Sequence, residues 1–100
     1  MTKEKSAIKE RSRTGFDEPK HYNVIIFNDD FTTMDFVIEV LTKIFGKSFE
    51  DAKALMQAVH NEGKAVAGTY SYDIAISKAS LATKLARDND FPLKLEVEEE

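Results

Sequence analysis

Asn28, Asp29 and Asp30 are three consecutive residues with oxygen-bearing side chains, placed where a β-branched and aromatic run stops. Three chemistries suit such a cluster. Asx side chains that bond their own backbone make a polar turn. A hard cation such as magnesium or calcium takes oxygen ligands, but the alternating acids and the glycine of a calcium loop are missing, so no metal is expected. The third is a set of acceptors for a cation such as an ammonium group, which offers three donors. His60 is the second candidate. Met56, Val59, His60 and Gly63 fall at i, i+3, i+4 and i+7, one stripe of a helix. A histidine near a helix end either compensates the dipole at the surface or, when neutral, accepts a hydrogen bond beside Met56 and Val59. A His with two Asp also suits general base catalysis. No Ser or Thr nucleophile is bracketed by an oxyanion-hole motif, however, and no glycine-rich phosphate loop occurs. The chain does not read as an enzyme, and no cofactor is expected.

The elements that must position these residues follow from periodicity. Tyr22-Asn23-Val24-Ile25-Ile26-Phe27 is apolar on nearly both faces and predicts a central strand. Thr32 with Asp35 predicts a capping box for a helix through Met34, Val37, Val40, Leu41, Ile44 and Phe45 to Gly46. Ser48 with Asp51 repeats that signal for a second helix through Ala52, Leu55, Met56 and Val59 to Gly63. Lys64 to Tyr70 reads as a short strand weakened by Gly68. Ser71 opens a third helix with Ile74, Lys78, Leu81, Ala82 and Leu85 at helical spacing, ended by Pro92. Leu93-Lys94-Leu95-Glu96-Val97-Glu98 alternates, so Leu93, Leu95 and Val97 should face inward. The predicted order is β-α-α-β-α-β, an α/β (α+β) sandwich. A three-stranded, mostly antiparallel sheet is packed against three helices.

Composition bounds what such a domain does. The 100 residues are 42% hydrophobic and 32% charged, with no cysteine, so disulfides, zinc knuckles and thiolate catalysis are excluded. A domain this small buries ~60–65% of its unfolded surface, which favours a shallow pocket over a deep cavity. Acids outnumber bases by 18 to 14, which argues against nucleic acid as a partner. Residues 1–20 hold six bases and four acids with only Ile8 and Phe16 as bulky apolar residues after Met1, and read as a flexible N-terminal arm. Residues 21–100 form the core domain, with eight bases and fourteen acids. No secretory h-region, transit-peptide pattern or membrane-length apolar run is present, so a cytoplasmic location is expected.

Two segments are more specific than the patterning. Tyr22-Asn23-Val24-Ile25-Ile26-Phe27-Asn28-Asp29-Asp30-Phe31-Thr32-Thr33-Met34-Asp35-Phe36-Val37 resembles the signature of the ClpS family, as does Ala58-Val59-His60-Asn61-Glu62-Gly63-Lys64-Ala65. The resemblance covers roughly residues 21–97. It implies an adaptor that binds proteins with destabilising N-terminal residues (Leu, Phe, Tyr, Trp) and delivers them to a Clp AAA+ unfoldase for ATP-dependent proteolysis. By position, Asn28, Asp30 and His60 match the residues that bind the substrate α-ammonium, and Asp29 matches a contact to backbone near the second substrate residue. Thr32, Met34, Val37, Met56, Val59 and Leu93 match the hydrophobic pocket for the first side chain, with Met34 as a gate against β-branched residues. Asp73 and Lys78 match contacts to the N-terminal domain of a ClpA-like unfoldase, which would engage the arm during delivery. Thr33 stands where many members have Pro, yet keeps a hydroxyl able to cap a helix. Phe31 stands where Tyr is common and lacks its phenol hydroxyl. The fold alone also resembles a ribosomal-stalk interaction domain, the alternative reading, although fold does not fix function.

Overall fold

Tyr22–Phe27 forms strand β1, and its apolar residues on both faces put it at the centre of the sheet. The computed structural model describes residues 19–100, so the expected arm lies outside the described residues apart from Pro19 and Lys20. Helices α1 (Met34–Lys43) and α2 (Phe49–Glu62) follow, then β2 (Lys64–Tyr70), α3 (Tyr72–Asp88) and β3 (Lys94–Glu99). The sheet order is β2-β1-β3, and β1 is antiparallel to both neighbours. The predicted order and sheet type hold. Antiparallel pairing across a two-helix excursion is what lets the end of β1 lie beside the start of β2.

The helices cover one face of the sheet. Val24 and Ile26 point into that layer with no exposure, where they meet Val40, Leu41, Met56 and Val59. Ile25 points to the opposite face, flanked in register by Val66 and Glu96. The β1–β3 register is continuous, whereas the β1–β2 register slips between Val24 and Ile25, where Ala67 is the extra residue. This is a bulge, and it bends β2 locally.

Two expectations are corrected. The first helix is opened by Thr33, not Thr32: the Thr33 hydroxyl accepts from the Phe36 N–H at 3.1 Å, and Met34 is the first helical residue. Thr32 is instead bonded to Asp29. The buried stripe of α3 is Ala75, Ala79, Ala82 and Ala86, while Ile74 and Leu81 are 49% and 56% exposed. Small side chains let this helix lie close on the sheet, and bulky ones on that face would hold it off. The second helix starts as expected, with the Ser48 hydroxyl accepting from the Asp51 N–H at 3.1 Å, and it stops at Gly63 in the left-handed region at φ 91°. Among the described residues, no helix is long and apolar enough to cross a membrane.

Candidate functional site

The two ends that meet are the C-terminal end of β1 and the last turn of α2. The Asn28 N–H donates to the Gly63 carbonyl at 2.9 Å, one step beyond the last β1–β2 pair. That bond holds the Asn28-Asp29-Asp30 turn against the helix end carrying His60. Gly63 makes the reversal possible, since a left-handed residue there turns α2 directly into β2. The first turn of α1 closes the third side.

The result is a cavity of about 240 Å³ lined by Asn28, Asp29, Asp30, Thr32, Met34, Val37, Met56, Val59 and His60. Its floor is apolar, from the buried Val37, Met56 and Val59. Asn28, Asp30 and His60 are exposed at its mouth, and Met34 stands on the rim at 49% exposure. For scale, an engineered apolar cavity of ~150 Å³ takes up benzene. The site therefore has room for one side chain of aromatic size with polar groups beside it. Acceptor-rich groups at the mouth and a dry floor suit a ligand that is cationic at one end and apolar at the other.

Asp29 differs from its neighbours. One carboxylate oxygen accepts the Phe31 and Thr32 N–H groups at 2.8 and 2.7 Å, and the other accepts the Thr32 hydroxyl at 2.7 Å. Burial pushes its carboxyl up, but the hydrogen bonds from Thr32 and Phe31 and the charge of Arg87 outweigh that, holding it below the ordinary 3.8. The polar-turn chemistry thus applies to Asp29, which shapes the loop. Asp30 makes no such turn bond among the described residues.

Three further sequence-predicted positions are Leu93, Asp73 and Lys78. Leu93 is in the core at 1% exposure, in the short segment between α3 and β3 that is clamped to α3. Arg87 makes that clamp, donating to the Phe91 and Leu93 carbonyls at 2.7 and 3.0 Å. Asp73 is exposed in the first turn of α3. Lys78 is partly buried: its ammonium donates to the Ile44 carbonyl at 2.7 Å and stands 5.3 Å from the Tyr70 ring centre. It therefore caps the end of α1. Sequence reasoning does not pick out Arg87, whose signal is only a basic residue in the last turn of a helix. Among the described residues, no group of three or more His, Cys, Asp or Glu is placed to hold a metal ion.

Comparison with known proteins gives one consistent result. Residues 17–96 match the sequence profile of the family described as ATP-dependent Clp protease adaptor protein ClpS. An ATP-dependent Clp protease adapter protein ClpS from Acetivibrio thermocellus is 47% identical, over 97% of this chain and 98% of its own length. One from Wolinella succinogenes is 50% identical over 82% of this chain and 80% of its own. Among solved structures, Agrobacterium tumefaciens ClpS2 bound to L-phenylalaninamide superposes with a TM-score of 0.80. It is 38% identical, over 83% of this chain and all of that one.

Proposed function

This chain belongs to the ClpS family of ATP-dependent Clp protease adaptors, and we propose that its cavity binds the N-terminal residue of substrate proteins beginning with Leu, Phe, Tyr or Trp. Family membership sets aside the stalk-like alternative, which rested on fold only. The observation that carries the proposal is the pairing of acceptors and apolar floor in one small cavity. Phenylalaninamide, the molecule bound to the related ClpS2, carries the same pair of features: an α-amino group and a benzyl side chain.

In this reading Asn28, Asp30 and His60 accept hydrogen bonds from the α-ammonium. Thr32, Met34, Val37, Met56 and Val59 surround the first side chain, with Met34 crowding branched ones at the rim. Asp29 acts indirectly by setting the turn. Each charge-assisted hydrogen bond is worth ~1.5–3 kcal/mol, and burying a Leu or Phe side chain ~1.5–3 kcal/mol. After association costs, affinity near −8 kcal/mol, about micromolar, is reasonable. Delivery would follow from docking on the N-terminal domain of a ClpA-like unfoldase. Asp73 is exposed where it would make that contact, whereas Lys78 would have to serve it while bonded to Ile44. The protein would then be a non-catalytic adaptor.

Titration with peptides differing only in N-terminal acetylation tests the ammonium site. A free Phe-first peptide should bind about tenfold or more tighter than its acetylated form, since one charge-assisted bond exceeds 1.4 kcal/mol. Equal affinities would overturn the proposal.

A further inference from the structure

Among the described residues β3 is an edge strand, and its register shows which of its backbone groups have no partner there. The Glu100 N–H donates to the His21 carbonyl at 2.9 Å, so the 21–100 pair is a hydrogen-bonded one. Antiparallel pairs alternate, and the pairs Glu98–Asn23 and Glu96–Ile25 are therefore bonded too. Leu95, Val97 and Glu99 then aim their N–H and C=O groups away from β1, to the free side of the sheet. The opposite edge, β2, is interrupted by the Ala67 bulge, whereas β3 is regular along its length.

The two faces flanking this edge are chemically distinct. On the helix side, Leu95 and Val97 line an open groove of about 500 Å³ against Ile76, Ala79, Ser80, Thr83 and Lys84 of α3, where the Lys84 ammonium is held by Asp88 at 3.0 Å. On the other side stand Glu96, paired with Lys94 at 3.1 Å, and Glu98, and residues 94–100 hold four glutamates against that one lysine. Self-pairing is disfavoured: an antiparallel copy centred on Val97 would set Glu96 against Glu98 twice.

We infer that the free edge of β3 is a docking site for an extended, basic segment of a partner protein, added as a fourth strand. Its backbone would pair with Leu95, Val97 and Glu99. Its alternate residues would be apolar toward the groove and Lys or Arg toward Glu96 and Glu98. This site is separate from the N-terminal-residue cavity and does not depend on its assignment.

The test uses the full chain and an N-acetylated, C-amidated peptide of alternating lysine and valine, which offers no ammonium terminus to the other cavity. Amide hydrogen exchange at Leu95, Val97 and Glu99 should be fast in the free protein and slow by about tenfold with saturating peptide. An alternating glutamate–valine peptide should have no effect, and excess phenylalaninamide should not displace the basic one. The exposed double substitution Glu96→Lys with Glu98→Lys should abolish the protection. Amides already protected in the free chain, equal protection by the acidic peptide, displacement by phenylalaninamide, or protection unchanged by the double substitution would each overturn the inference.

Discussion

Asp29 and Asp30 are chemically identical neighbours with different tasks, and the difference is one of available lone pairs. Asp29 uses both oxygens on its own turn. Asp30 faces the cavity with its acceptors uncommitted to that turn, beside Asn28 and His60. Nothing in the types of these residues separates them; the local backbone does. Thr33 is a similar case, a hydroxyl that starts α1 where a proline also would. The residue with the cleanest expected effect is His60, exposed at the mouth and outside the core. His60→Ala should weaken binding of a Phe-first peptide by ~1–3 kcal/mol while leaving thermal stability nearly unchanged. Calorimetric titration with a parallel melt decides it. An unaltered affinity would return His60 to a surface role at a helix end.

At the level of elements, the cavity exists because three boundaries coincide: the end of β1, the last turn of α2 and the first turn of α1. Two of these were legible. The polar triplet after an apolar run marks the first, and Gly63 after an apolar stripe marks the second. The alanine face of α3 was not, because alanine's weak apolarity is outvoted by Ile74 and Leu81 in any pattern count. Only the burial of Ala75, Ala79, Ala82 and Ala86 against the core reveals that this is the packed face. Gly68 shows the same kind of constraint on β2. A Cβ there would collide with the Tyr70 ring, which packs against Phe45 and under the Lys78 ammonium. Gly68→Ala should cost ~1–3 kcal/mol, and most of that loss should disappear when Tyr70→Leu is added. Thermal melts of the two single variants and the double variant measure this coupling. Additive losses would mean that the ring is not the obstacle.

For the whole molecule, the turn bonds of Asp29 have a consequence in acid. Its carboxyl is held below the ordinary 3.8, so the ionised form is favoured in the folded state. The stabilisation is present above the unfolded value and is lost as the pH falls through the lower folded one. Asp29→Asn, which does not titrate, should therefore be ~1–2 kcal/mol less stable than the parent near neutrality. The gap should narrow below about pH 4. Denaturant unfolding at neutral and acid pH checks the sign. A gap independent of pH would show that the charge contributes nothing.

The overall acidity has a related logic. Most of the acids in residues 21–100 are exposed, and those on β3 are concentrated at an edge that would otherwise invite pairing with another copy. The amino-acid sequence by itself determined the element order, the central place of β1 and, through its two motifs, the family. Periodicity and short motifs are local properties, and a chain carries them openly. Tertiary structure decided what depends on distance between segments remote in sequence. It buried Leu93 in the core, bound Asp29 to its own loop, and tied Lys78 to the end of α1. It also left one side of β3 unpaired among the described residues. A side chain's partners are set by packing across the chain, and no spacing along the chain encodes them.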